Sequence, residues 1–336
     1  MTRLSYHQKQ IKKGFSLKTI LTLPLLFLLF FTACTKTPTQ PNLGKTVQQD
    51  VQVFTADNAK GTITPQTIEE AFDALGLSVV GNNDMNIPFK KRFKHTHYKV
   101  YNLAMFMHNK LTYKLLKKYP AFGALTPLTM SIYTKGDKIY IATLTLHGMA
   151  RTTQIPANDP DLIAYAKIIH EALQKALPNG SFEKLNFQPT HHNDPLQVNF
   201  TTKVDLSDKD AEEYIEDFEA EFEAEMEPLG FLLPNFTNVQ EELFDEYGYD
   251  AYDFYHTYSI CKFDVIYPVS KAHPEAGAWA PCSFYLYKKK DEDVMHMGFL
   301  SVENWITTLN IKDETSLKPL REAQQMIVDI LHDISE

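Results

Sequence analysis

Apolar and polar residues alternate and recur along this chain in two long, similar passages. In the first, Val51 and Val53 flank a glutamine as in a half-buried strand. Thr64-Pro65 then opens a helix, with the threonine as N-cap and the proline in the first turn, where its missing N–H costs nothing. Ile68, Ala71, Phe72 and Leu75 recur at helical spacing, Gly76 closes the run, and Leu77, Val79 and Val80 begin a strand. A strand is expected over 98–106, then a helix over 110–118 with Leu111, Leu115 and Leu116 inward, stopped by Pro120. Residues 129–133 and 138–146 read as a hairpin about Lys135-Gly136-Asp137, and 159–177 as an amphipathic helix.

The second passage repeats this order. A strand over 196–204 precedes a helix over 209–227, in which Tyr214, Phe218, Phe222 and Met226 share one face and most other positions are acidic. Gly230 stands where Gly76 stood, a strand follows over 231–233, and a helix over 317–334 mirrors the one at 159–177. The clearest duplication pairs Tyr98 with Tyr255, Tyr101 with Tyr258, Pro120 with Pro274, Gly123 with Gly277, Pro127 with Pro281 and Tyr133 with Tyr287. On that pairing the second copy is three residues longer between its glycine and its first tyrosine. The expected organisation is therefore a first repeat domain at 48–177, a linker at 178–194 and a second repeat domain at 195–336, packed as a pseudo-twofold pair.

Ahead of the repeats, residues 1–33 have the form of an export signal: Arg3, Lys9, Lys12, Lys13 and Lys18 precede an apolar run too short to span a bilayer comfortably. The run ends in Phe31-Thr32-Ala33-Cys34, which resembles a lipoprotein processing site except that phenylalanine replaces the usual leucine. Cys34 would then carry a palmitate-type acyl anchor, with 34–47 as a polar tether and the bilayer as first partner. A plain signal peptide with an incidental cysteine is the alternative. Either way the folded part is expected in the cell envelope, facing the periplasm, with the choice of inner or outer membrane open.

The whole chain has a net charge of −9. Without the leader's five cations, 28 Lys+Arg face 42 Asp+Glu, a balance of −14. Such a surface lacks the basic footprint that nucleic acid requires, and it does not suit lying flat on anionic headgroups.

Candidate chemistry is sparse. Cys261 and Cys282 could form a disulfide, bind a soft metal such as copper(I) with help from Met295 or Met297, or remain buried thiols. There is no Cys-x-x-Cys to suggest thioredoxin-like exchange. His95 and His97, two apart and with His108 nearby, have a spacing that suits zinc or copper, and the second copy has Tyr252 and Phe254 at the matching places. The tyrosine- and aspartate-rich stretch 245–255 is either a ligand or partner rim or a half-buried lead-in to a strand. Carboxylates on the 209–227 helix read as a solvated face. No hydrolase elbow, phosphate loop or zinc-protease helix is present, and no acid pair stands out, so an enzyme is the less expected class and no cofactor is indicated.

Read as helix, Leu-Gly-(Leu/Phe), strand, Tyr-x-x-Tyr, helix, Pro-x-x-Gly-x-x-x-Pro, strand, each copy resembles the bacterial domain of unknown function 302. In that family the first strand usually ends in cysteine and the second opens with Leu-Pro-Cys. The second copy matches at Cys261 and at Pro281-Cys282, whereas the first has Ala104 and Leu128. The resemblance implies an α+β fold of the TATA-box-binding-protein-like kind, a curved antiparallel sheet with helices on one face, twice over, and it implies no activity. The expectation is a binding module for a small ligand or an envelope protein, with Tyr101, Tyr258, Pro127, Pro281, Cys261 and Cys282 near its groove. Thiol-redox or copper-type handling through the two cysteines, and envelope scaffolding, are the alternatives.

Overall fold

The computed structural model describes residues 49–335, so the expectations about the leader, Cys34 and the tether concern residues outside those described. Within this range each repeat builds one antiparallel sheet. The first contains β1 (Val51–Asp57), β2 (Ser78–Asp84), β3 (Tyr101–Met107), β4 (Leu128–Lys135) and β5 (Lys138–Leu144), in the order β2-β3-β4-β5-β1. A two-residue strand, β6 (Ser181–Phe182), extends it beyond β1. The second sheet contains β7 (Gln197–Lys203), β8 (Leu232–Asn238), β9 (Tyr252–Cys261), β10 (Cys282–Lys289) and β11 (Val294–Leu300), in the equivalent order β8-β9-β10-β11-β7.

The helices of the first repeat are α1 (Pro65–Asp73), α2 (Asn86–Phe93), α3 (Asn109–Lys118), α4 (Leu146–Thr153) and α5 (Pro160–Ala176). Those of the second are α6 (Ala211–Met226), α7 (Phe263–Ala272), α8 (Glu303–Thr308) and α9 (Glu314–Asp333). Thr64 caps α1 in a reciprocal capping box with Thr67, and Gly76 and Gly230 take φ of 76° and 78° after α1 and α6, where a Cβ would be strained. Helices α2, α4 and α8 have no counterpart in the hydrophobic pattern. In α2 the sequence Asn-Ile-Pro-Phe-Lys-Lys-Arg-Phe buries only Phe89, so no apolar stripe announces it.

Strand register corrects the alignment of the two copies. Tyr101 lies opposite Tyr133 and Tyr255 opposite Tyr287; since Tyr133 and Tyr287 are 154 positions apart, Tyr101 corresponds to Tyr255 and Tyr98 to Tyr252. The same separation holds from Gly76 and Gly230 onward, so no three-residue insertion exists. Cys261 accordingly matches Met107, not Ala104, while Cys282 still matches Leu128. His95 and His97 match Tyr249 and Ala251 rather than Tyr252 and Phe254.

The central strands are buried on both faces, which is why they read as continuous apolar runs instead of alternating ones. In the second repeat Phe254, Tyr258, Ile260, Phe284 and Leu286 face that repeat's own helices, packing with Phe218 and Phe222 of α6 and Ile327 and Ile330 of α9. Tyr255, Tyr285 and Tyr287, on the alternate positions, join a core shared with the first repeat.

That shared core is reciprocal. The 3-10 turn Pro120–Leu125 packs on β10 and β11, and its equivalent, Pro274–Ala278, packs on β4 and β5. Thr129 donates to the Ala278 carbonyl (2.8 Å), and its equivalent Ser283 donates to the Pro127 carbonyl (3.1 Å). Phe93 stacks on Tyr267 with ring centroids 3.9 Å apart, and the equivalent pair, Tyr247 and Tyr113, stacks at 4.3 Å. The aromatic stretch 245–255 is thus committed to the joint between repeats: Tyr247 and Tyr249 lie against Tyr113, and Lys117 sits over the Tyr249 ring.

Candidate functional site

The end of β9 and the start of β10 carry the chemistry that the sequence singled out. Cys261 ends β9, Lys262 caps α7 without a side-chain bond, and Ala280-Pro281, a cis peptide, leads into Cys282. The register sets Cys282 opposite Ile260, one place from Cys261, and both thiols are free. They line one cavity of about 60 Å³ between the second sheet and its helices, lined also by Val269 of α7, Trp305 of α8 and Leu320 of α9. The wall is almost entirely hydrocarbon.

The first repeat fills the matching place with bulk. Met107, Leu128 and Phe106 stand where the second repeat has Cys261, Cys282 and Ile260, and Phe106 packs edge-on against Phe72 at 5.2 Å. The second copy's side chains are the smaller ones at all three places, beside the cavity.

The apolar surroundings disfavour thiolate. Burial pushes the Cys261 thiol up to about 12, and burial together with the neighbouring Cys261 pushes Cys282 up as well. Both are neutral thiols near neutral pH, a poor starting point for nucleophilic or redox chemistry. Met295 and Met297 belong to the second repeat's own core and do not line this cavity. Among the described residues no group of three or more His, Cys, Asp or Glu is placed to hold a metal.

Cys261 and Pro281 also form the inner wall of a second space, an open cleft of about 480 Å³ between the repeats. Its other walls come from the edge strands of both sheets, Asn82 to Asp84 of β2 and Leu232 and Pro234 of β8, with Leu103 on the floor. Ile87, Pro88 and Phe263 carry the cleft outward into a shallow groove bordered by Lys91 and Arg92. Leu232 and Ile87 remain exposed at this rim.

The remaining sequence candidates lie elsewhere. Tyr101 is buried in the shared core, its hydroxyl 3.5 Å from the Pro274 carbonyl, and burial raises its ionisation well above the ordinary phenol range. Tyr258 faces the opposite side of its sheet, against Phe222 and near Glu219 and Glu223, so the two tyrosines named for one groove occupy different faces. Pro127 occupies the first-repeat position equivalent to Pro281 and accepts the Ser283 hydroxyl. His97 packs on Tyr267 with Nε2 3.1 Å from that residue's carbonyl, and burial lowers its basicity. His95 lies with its ring 5.6 Å from that of His97, while His108 caps α3.

One polar centre had no signal in the sequence. Asp50, 1% exposed, accepts from Arg151 Nη1 and Thr308 Oγ1, each at 2.7 Å, and lies 2.7 Å from His147 Nδ1. Arg151 also donates to Thr307, so the cluster ties α4 of one repeat to α8 of the other. Its members are up to 258 positions apart, beyond any local pattern.

A solved structure, the crystal structure of an uncharacterized conserved protein DUF302 from Bacillus stearothermophilus, aligns with 42% of this chain and 98% of its own, at 14% identity and a TM-score of 0.34. No curated protein matches. The profile of the domain of unknown function DUF302 matches residues 58–179 and again 205–334. With most of its length matched in two consecutive copies, the chain belongs to the DUF302 family as a tandem repeat.

Proposed function

We propose that the protein is a non-catalytic binding module that takes a small, largely apolar ligand in the cleft between its repeats, with Cys261 and Pro281 at the inner wall. The supporting observation is the asymmetry of the duplication. Most of the shared core is built twice with matched contacts, whereas the second copy trades Met107, Leu128 and Phe106 for Cys261, Cys282 and Ile260 and lines an apolar cavity directly behind an open cleft. Pockets for small ligands are typically concave and mostly apolar with a few polar groups at the mouth, and here Asn83 supplies such a group, the neighbouring Asn82 side chain being held by Pro65, Glu69 and Asn102. Neutral thiols favour a packing role for the cysteines over a redox one. Attachment to the envelope membrane through Cys34 belongs to the same proposal.

Native mass spectrometry of the chain purified from its producing cells tests this reading. An organic molecule that is released on denaturation and is missing from the cavity-filled variant C261M/C282L supports it. Bare chain in both proteins, or the same adduct in both, overturns it.

A further inference from the structure

Resting on that reading, we infer that the ligand is an anionic single-chain amphiphile, a fatty-acyl carboxylate or phosphate, lying tail-inward from α2 toward Cys261. Three spaces meet end to end. The outer groove shares Ile87, Pro88 and Phe263 with the cleft, and the cleft shares Cys261 and Pro281 with the apolar cavity. Polarity falls along the path, from Lys91 and Arg92 at the outside, past Asn82, Asn83 and Asp84, to a wall of hydrocarbon and neutral thiols broken only by Lys262 and Gln324. A molecule with charge at one end and a chain at the other is the shape this gradient complements.

The sign of the head group follows from the local charge. On a chain of net charge −9, α2 and its cap gather Lys90, Lys91, Arg92 and Lys94 within five positions. Of the three carboxylates nearby, Asp264 pairs with Arg92 and Glu69 accepts from the Asn82 amide at 3.0 Å, while Asp84 accepts only the Asn86 N–H at 2.9 Å and keeps its charge at the cleft wall. Lys91 is exposed and borders the groove, so a carboxylate or phosphate can reach its ammonium without displacing a protein partner. The basic patch gives an anion a local point of attraction on a protein whose overall charge would otherwise repel it.

The chain's only two tryptophans provide the readout, since Trp305 lines the apolar cavity and the Trp279 ring lies 6.1 Å from the Trp305 ring. Monomeric decanoate, decyl phosphate, decanol and decyltrimethylammonium would each be titrated into the full chain, followed by indole emission and by calorimetry. The inference expects decanoate or decyl phosphate to bind at least about tenfold tighter than decanol, the difference a single charge-assisted contact can supply. The stronger of the two identifies the head group. Lys91→Glu should abolish that advantage and leave decanol binding unchanged, and C261M/C282L should weaken all chains alike. Equal binding of anionic and neutral chains, still lost in C261M/C282L, would overturn the inference while leaving the cleft as the binding site. Tighter binding of the cationic chain, or no binding by any of the four, would overturn it outright.

Discussion

The phenolic hydroxyl of Tyr255 donates a hydrogen bond of 2.6 Å to the carbonyl of Pro120, joining β9 of the second repeat to the 3-10 turn of the first. Its equivalent, Tyr101, points the same way into the other repeat, but its hydroxyl stops 3.5 Å from the Pro274 carbonyl. At this pair of tyrosines the shared core is built twice but bonded unequally. Tyr255→Phe should lower unfolding free energy by about 1–2 kcal/mol, because the Pro120 carbonyl loses its donor in a buried place. Tyr101→Phe should cost clearly less, since a contact at that length contributes little. Urea unfolding of the two variants side by side checks the order.

The glycines of the repeated motif set how close the repeats come. A Cβ on Gly123 would sit 2.3 Å from the Tyr255 hydroxyl and 2.6 Å from Tyr285 Cβ; one on Gly277 would sit 2.5 Å from Ser131 Cβ and 2.6 Å from Leu103 Cδ2. Neither glycine has positive φ, so the obstacle is packing alone. Gly123→Ala and Gly277→Ala should each destabilise by roughly 1–3 kcal/mol through forced separation of the two repeats. Gly136→Ala, on an open hairpin with φ of 58°, should lose only the backbone penalty of about 1 kcal/mol and leave the shared core intact. Near-ultraviolet circular dichroism separates the cases, since only the first two variants should disturb the interface tyrosines.

These contacts show what the sequence could and could not convey. Apolar stripes marked α1, α3, α5, α6 and α9, and Gly-Pro punctuation marked the hairpins and the duplication, because each is a local signal. The register of the duplication was ambiguous for a physical reason. Tyrosines recur every third position at Tyr252, Tyr255 and Tyr258, so Tyr98 and Tyr101 match them locally in two ways; the constant separation of the flanking glycines and prolines favours one of these, and backbone pairing with Tyr133 and Tyr287 establishes it. The cleft was legible only in part: Cys261, Pro281 and Cys282 stood out, whereas Asn82, Ile87, Lys91 and Leu232 reach it only because two sheets meet.

Buried thiols predict a pH dependence with a definite sign. The Cys261 thiol is held at about 12 against an ordinary value of 9.0, so the unfolded chain releases this proton before the folded one does. The contribution is fully present below pH 9.0 and is lost as pH rises toward 12, at up to about 1.4 kcal/mol per pH unit in that window. Cys261→Ser should flatten the alkaline limb of a stability–pH curve. Reaction with a thiol-specific disulfide reagent at pH 8 should also be slow in the folded chain, becoming fast only in denaturant; rapid native-state labelling of both cysteines would contradict the burial argument.

The Asp50 cluster yields the sharpest test of coupling between repeats. Asp50 and Arg151 belong to the first repeat, as does His147 beside Asp50, yet Asp50 also bonds to Thr308 and Arg151 to Thr307, both of the second. Removing the guanidinium in Arg151→Met leaves a carboxylate 1% exposed with only His147 and a hydroxyl to satisfy it, a loss of about 3–5 kcal/mol. Asp50→Asn leaves the arginine partly exposed and able to reach water, so it should cost less. The double variant should be more stable than the two single losses predict, by about 1–3 kcal/mol, because neither charge is then stranded. If the cluster clamps the repeats together, amide exchange in α8 should speed up in Arg151→Met although that helix carries no substitution. Additive losses with unchanged exchange in α8 would reduce Asp50 to a local feature of the first repeat.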